Sequence, residues 1–179
     1  MSGLFEPNDE FCNNEEVDVD LKMFALGLGL NAILLGCAGD PPVEPPPPEP
    51  TIVNLQIDAG ADLNADSQGK GAPVMLRVYE LRDPGNFNSA DFFALFNNEQ
   101  ATLAADLARK QEMLLQPGTS KKLTLKPEDA VTSVGFFAAF RQVDTAQWRA
   151  GADIKVHQTH TIHLKVKNNQ LVIEEPAAQ

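Results

Sequence analysis

The chain has 179 residues, 25 acids against 14 bases, and a formal net charge of −11. An acidic chain lacks the basic patch that nucleic acid requires, so nucleic-acid binding is excluded. Its length suits one modest domain with extra segments, and its two cysteines, Cys12 and Cys37, lie far apart.

The first 20 residues carry Glu6, Asp9, Glu10, Glu15, Glu16, Asp18 and Asp20 but no Lys or Arg. Lys22 and the uncharged run MFALGLGLNAILL, Met23 to Leu35, follow. That run is shorter than the ~20 apolar residues a membrane span needs. It has the length of a signal-peptide core, about 7–15 residues. A signal peptide begins with positive charge, so the acidic head is out of place. Translation from Leu21 or Met23 in place of Met1 would remove it, and a genuine acidic extension is the alternative.

Leu34, Leu35 and Gly36 lead directly into Cys37. This resembles the bacterial lipobox, where a signal peptidase cuts before a cysteine whose sulfur carries diacylglycerol. The other reading is a short buried helix with a core cysteine. Gly27 and Gly29 weaken such a helix, and the adjoining proline tract offers it no packing surface. Residues 1–36 are therefore expected to be removed and Cys37 to be lipidated. With Cys37 acylated, no intrachain disulfide is available.

PPVEPPPPEP, Pro41 to Pro50, follows. Proline fixes φ and lacks an N–H, so this tract favours extended polyproline II. At ~3.1 Å per residue, residues 37–50 reach roughly 40 Å. They are expected to form a stiff tether, with a domain over 51–175 and a tail over 176–179.

From Thr51 on, apolar and polar residues alternate in short runs: Val53–Leu55–Ile57, Val74–Leu76–Val78, Leu123–Leu125, Ile154–Val156, Ile162–Leu164–Val166 and Leu171–Ile173. A period of two marks strands with one buried face. Val131 to Phe140 is apolar on both faces and reads as a central strand. About eight strands predict a mainly β, two-sheet β-sandwich. Ser89 to Lys110 breaks the rhythm and predicts a small helical insertion. Ser89 or Asn88 would cap it, Phe92, Phe93, Leu95 and Phe96 would pack inward, and a second helix would begin after Asn97-Asn98 with Leu103 and Leu107 buried.

The tract Asp58 to Pro73 joins the first two strands. Asp62, Asn64 and Asp66 match the start of an EF-hand loop. Ser67 stands where that loop needs glycine and Pro73 where it needs glutamate, so no calcium site of that kind, and no metal, is expected. Gly69-Lys70 lacks the upstream glycine of a phosphate loop. Long polar loops in compact domains are uncommon unless functional. This one is expected to bind a partner through Asp62, Leu63, Asn64, Asp66, Gln68 and Lys70, with Leu63 filling a pocket on that partner. His157, His160 and His163 alternate faces and read as solvated strand residues. Nothing forms a catalytic constellation, so neither an enzyme nor a cofactor beyond the covalent lipid is expected.

The order of lipobox, short strand, D-x-N-x-D loop, PVMLRVYEL (Pro73 to Leu81), ADFFALF (Ala90 to Phe96), VGFFAAFR (Val134 to Arg141) and Asp144-x-x-x-Trp148-Arg149 resembles one family. It is similar to TssJ (SciN, VasD), the outer-membrane lipoproteins of the type VI secretion system. The resemblance runs from Gly36 to about Ile173 and departs only in the acidic N-terminus. It implies a transthyretin-like sandwich that docks on the periplasmic C-terminal part of TssM, with the loop between the first two strands in contact. A lipid-anchored periplasmic module for a small molecule or cell wall is the alternative. Ala38 follows the cysteine, where aspartate would favour inner-membrane retention in many bacteria. Two acyl chains already hold a protein stably on a membrane. Cys37→Ser should therefore release the protein from the outer-membrane fraction, and intact variant still sedimenting with that fraction would contradict lipidation at Cys37.

Overall fold

The computed structural model describes residues 45–174. Cys37, the lipobox residues Leu34, Leu35 and Gly36, the start-site question, residues 41–44 of the proline tract and the tail lie outside the described residues.

Eight strands form two four-stranded sheets among the described residues. They are β1 (Ile52–Ala59), β2 (Val74–Leu81), β3 (Leu107–Leu115), β4 (Ser120–Leu125), β5 (Ser133–Ala138), β6 (Arg149–Asp153), β7 (Thr159–Lys167) and β8 (Gln170–Glu174). The first sheet has the order β4-β1-β7-β8 and the second β3-β2-β5-β6. All neighbours are antiparallel except β1 and β7, which run parallel. The period-two alternation puts Val53, Leu55 and Ile57 of β1 against Leu76 and Val78 of β2, Val134 and Phe136 of β5 and Ile162, Leu164 and Val166 of β7 in one buried core. Asn168, at φ 48°, makes the turn from β7 to β8. Asparagine tolerates this left-handed conformation better than most residues.

All six residues of β5 are buried. Its inner face joins the sandwich core, and its outer face is covered by a second cluster of Tyr79, Leu81, Phe87, Phe92, Leu95, Leu103 and Phe137. Helices α1 (Gly85–Ser89) and α2 (Phe92–Leu103) supply that cover. Phe92 packs against Phe137 at 5.1 Å and against Trp148 at 5.4 Å between ring centroids. Such aromatic pairs each add about 0.5–1.5 kcal/mol beyond area burial. Trp148 and Arg149 thereby gain a structural role. Arg149 donates to the carbonyls of Phe87 and Ala90, both at 2.8 Å, and ties the end of α1 to β6.

An ion cluster fastens α2 to the sheet. Arg77 meets Glu99 at 2.9 Å and Glu112 at 2.8 Å, and donates to the Leu95 carbonyl at 3.0 Å. Lys110 also bonds Glu99, and the Tyr79 hydroxyl donates to Glu99 at 2.8 Å. Burial pushes the Glu99 carboxyl up, but the bonds from Lys110 and Tyr79 and the Arg77 charge outweigh it and hold the group below its ordinary value. Burial pushes the Tyr79 hydroxyl well up.

The helical insertion is shorter than expected. Asp91 caps α2, accepting from the Ala94 amide at 2.8 Å, which replaces Ser89 or Asn88 in that role. Asn98 leaves helical geometry, at φ −135°, so the chain kinks where a second helix was expected to begin. After a 3₁₀ turn at Ala104–Asp106, Leu107 to Lys110 belong to β3, not to a helix. Its Arg-Lys-Gln-Glu run is unusual in strands, but β3 is an edge strand, where charges oppose unwanted pairing. Phe93 is 63 % exposed, because the residue next to Phe92 cannot share its face, and Phe96, 40 % exposed, stacks on Phe92 at the rim at 5.7 Å between ring centroids. Ile154 and Val156 fall just after β6, in the bend that leads to β7.

Glu80 is a local conflict. It follows the inward sequence Val74, Leu76, Val78 along β2 and is 2 % exposed. Its Oε1 has no hydrogen-bond partner among the described residues, with Arg109 standing at 3.7 Å. Burial raises its carboxyl above the ordinary value; the Arg109 charge opposes this and Glu128 adds to it. The folded state therefore favours the proton. Its stabilising contribution is complete below the unfolded-state pKa and is lost as pH rises through the folded-state value. Glu80→Gln should raise the thermal midpoint at neutral pH, and the gain should vanish on acidification. An unchanged midpoint at neutral pH, or a gain that grows in acid, would show that Glu80 is adequately paired.

Candidate partner-binding surface

Residues 60–73 do not bridge neighbouring strands. β1 lies in the first sheet and β2 in the second, so the loop crosses from one layer to the other. A tight turn could not make this connection. The crossing explains part of its length.

The base of the loop is buried. The Gly60 amide donates to Val166 at 2.8 Å and the Leu63 amide to Gly60 at 3.1 Å. Leu63 is 0 % exposed and joins the sandwich core. Its expected place in a partner's pocket is therefore corrected: its own domain buries it. Asn64 is also buried, at φ 50°. Its Nδ2 donates to the Pro73 carbonyl at 3.0 Å, and its Oδ1 accepts from the Arg141 amide at 2.9 Å. Its own amide donates to the Asn168 carbonyl at 2.6 Å. Ala72 then returns beside Leu63, its amide donating to the Leu63 carbonyl at 2.8 Å. Gly71 is needed at this closure, since a Cβ there would lie 2.3 Å from the Ala61 carbonyl oxygen.

Beyond this base stands a compact tip. Asp66 Oδ1 accepts from the amides of Gln68 and Lys70, both at 2.9 Å. The Asp66 amide donates to Lys70 at 3.0 Å, and the Gly69 amide donates to Asp66 at 2.9 Å. Gly69 adopts φ 76°, a conformation glycine takes at little cost. Asp66 thus shapes the tip, as aspartate does in tight turns. Ser67, Gln68, Gly69 and Lys70 are exposed, and Asp62 is half-exposed at the loop's entry. The tip offers one amide, one ammonium and one hydroxyl on a stiffened backbone. Asp62, Asn64 and Asp66 do not converge as ligands: one lies at the entry, one is buried between segments, and one closes the tip turn.

The histidines are separated as well. The His157 ring bonds the Glu49 carbonyl at 2.8 Å, while its amide donates to Thr51 Oγ1 at 2.9 Å. His160 Nε2 lies 2.9 Å from the Lys155 carbonyl oxygen. His163 stands on β7, on a different part of the surface. Among the described residues, no three His, Cys, Asp or Glu side chains group as metal ligands.

A second exposed surface was not expected from the sequence. Phe93 and Phe96 project from α2, and Leu114 of β3 is 55 % exposed opposite Met75. The crowding of four large apolar residues within Phe92 to Phe96 was the available signal. A helical stripe cannot bury them all against one sheet.

Comparison with known proteins places this architecture. Residues 51–169 match the family described as Type VI secretion lipoprotein, VasD, EvfM, TssJ, VC_A0113. The chain is 35 % identical to the T6SS lipoprotein TssJ1 from Pseudomonas aeruginosa in its crystal structure, covering 72 % of this chain and 99 % of that one at a TM-score of 0.69. It is 28 % identical to a chain of a type VI membrane complex, with 69 % and 98 % covered and a TM-score of 0.62. It is 26 % identical to a chain in a structure described as the T6SS protein TssM C-terminal domain (869–1107) from EAEC, with 70 % and 98 % covered and a TM-score of 0.60. No curated protein matches the chain. The strand pattern, the aromatic insertion and the match over the whole sandwich agree, and the chain belongs to the TssJ family of type VI secretion lipoproteins.

Proposed function

We propose that this protein is an outer-membrane-anchored lipoprotein that docks the periplasmic C-terminal part of TssM. In this reading, residues 1–36 are removed, Cys37 carries the lipid and residues 37–50 act as the tether. The sandwich from Thr51 to about residue 175 is the docking domain. No helix of the described residues is long and apolar enough to cross a membrane. Lipid at Cys37 would be the attachment. The protein acts as a structural component, without a cofactor beyond that lipid.

The observation that carries the reading is the loop Gly60–Pro73, with its exposed tip on a buried base. A preformed tip loses little conformational entropy on binding, and interfaces gain affinity when that cost is small. The polar side chains of Gln68 and Lys70 face solvent at the tip, and Asp62 is half-exposed at the loop's entry. The likeness to a chain of a type VI membrane complex and to one in a TssM structure supports TssM as the partner.

Shortening the loop to a tight turn would not test this, because the loop must reach the other sheet. Substitution at the tip does. Gln68→Ala with Lys70→Ala should leave the unfolding midpoint unchanged. It should weaken binding of the soluble TssM periplasmic domain about tenfold or more, as loss of central interface residues does. An unchanged dissociation constant, together with weakened binding by Phe93→Ser and Phe96→Ser, would move the interface to the helical face.

A further inference from the structure

The two sheets differ on their outer faces. Helices α1 and α2 cover the second sheet, whereas the outer face of the first carries polar side chains in rows. Thr124, Asn54 and Thr161 stand side by side across β4, β1 and β7. Lys122, Gln56 and His163 form the next row, and Ser120, Asp58 and Lys165 the third. Residues two apart on a strand project to the same face, so the rows stack on one surface. A cleft of about 250 Å³ lies over the first two rows, and all six of their residues line it.

A solvated sheet face gains stability by setting opposite charges side by side. The acids of this face are engaged outside the cleft. Asp58 accepts from Ser120 Oγ at 2.5 Å and from Gln56 Nε2 at 3.1 Å. Glu174, opposite His163 on β8, turns to Lys165 at 2.7 Å. The Lys122 ammonium and the His163 ring therefore flank a neutral glutamine, and no carboxylate lines the cleft.

The hydrogen bonds around the cleft also fix what its amides offer. The Gln56 amide is committed to Asp58, so its Oε1 is the atom left for the cleft. Thr124 donates to Asn54 Oδ1 at 3.2 Å, which leaves the Asn54 Nδ2 hydrogens. An ammonium, an amide, a hydroxyl and an imidazole thus stand as donors around one carbonyl acceptor. Neighbouring strands lie ~4.8 Å apart, so donors on β4, β1 and β7 approach a ligand over β1 from several sides. That arrangement suits a tetrahedral phosphate better than a planar carboxylate, and the acceptor suits a hydroxyl beside it.

We propose that this cleft binds glycerophosphate, with the phosphate on Lys122, Asn54 and Thr161 and a glycerol hydroxyl on Gln56 Oε1. The ligand has two sources, a phospholipid headgroup and free glycerol phosphate. β1 starts at Ile52, directly after the proline tract, and Asn54 is its third residue. An anchor at Cys37 would hold the cleft near headgroups, and only that source rests on the anchor proposed above. The site uses no residue of the loop Gly60–Pro73, so its failure would leave TssM docking at the tip untouched.

The test uses the full chain, ¹⁵N-labelled in dodecyl maltoside, titrated with glycerol phosphate and separately with the short-chain lipid dihexanoyl-phosphatidylglycerol. Saturable shifts are expected at the amides of Asn54, Gln56, Thr161 and His163. Lys122→Gln should weaken binding about tenfold, the loss of one charge-assisted hydrogen bond. Lys121→Gln, at the neighbouring residue outside the cleft, should leave affinity unchanged. Both lysines are exposed, so neither change should disturb the fold. Absence of saturable shifts with both ligands, or unchanged affinity in Lys122→Gln, would overturn the proposal. An equal loss in Lys121→Gln would overturn it too, since net charge alone would then explain the attraction. Inorganic phosphate binding as tightly as glycerol phosphate would overturn the glycerol half. Tighter binding of the lipid than of glycerol phosphate assigns the site to headgroups, and equal or weaker binding assigns it to the free compound.

Discussion

Asn64 holds the two layers of this domain in relation to the loop that crosses them. Through two side-chain bonds and one backbone bond it joins the entry to β2, the segment after β5 and the turn between β7 and β8. The first two belong to one sheet and the third to the other. Asparagine suits the position because it accepts a positive φ and carries a donor and an acceptor on one planar group. Alanine there would strand a buried carbonyl and a backbone N–H, at about 1–3 kcal/mol for each unpaired group. With the base fixed, the tip from Asp66 to Lys70 is shaped by its own Asx bonds and needs no partner to become ordered.

The helical insertion solves a different problem. A central strand that is apolar on both faces needs cover on both, and the second sheet has the sandwich core on one side only. Helices α1 and α2 cover the other side, and the Arg77–Glu99–Glu112 cluster keeps α2 in place at the sheet's outer face. The same insertion leaves Phe93 and Phe96 in solvent. Arg77 lies 5.8 Å from the centre of the Phe96 ring, which shields one face of that ring by a cation–π contact.

Much of the architecture was legible in the chain. Alternation located β1, β2, β4, β7 and β8, and the doubly apolar run located β5, because burial on one or two faces writes itself directly into the order of residues. β3 was hidden because an edge strand buries little and carries charge, so its first residues, Leu107 to Lys110, read as helix. β6 was hidden because Arg-Ala-Gly-Ala-Asp has too few large residues to show a period. For the loop, the D-x-N-x-D spacing drew attention to the right residues but not to their roles. Asn64 and Leu63 point inward and Asp66 bonds its own turn, and these facts depend on Asn168, Arg141 and Pro73, which are distant in sequence or on the far side of the loop. The row of Lys122, Gln56 and His163 was equally silent, since only strand pairing sets the three residues side by side.

The central claim is a rigid base that presents a partner-ready tip, and amide hydrogen exchange tests it most directly. Exchange reports local opening residue by residue. The account predicts that Leu63, Asn64 and Ala72 exchange as slowly as core strand β1, that Gln68, Gly69 and Lys70 exchange faster, and that the TssM periplasmic domain slows the tip alone within this loop. A base that exchanges as fast as the tip, or a tip left unprotected while TssM is bound, would contradict it.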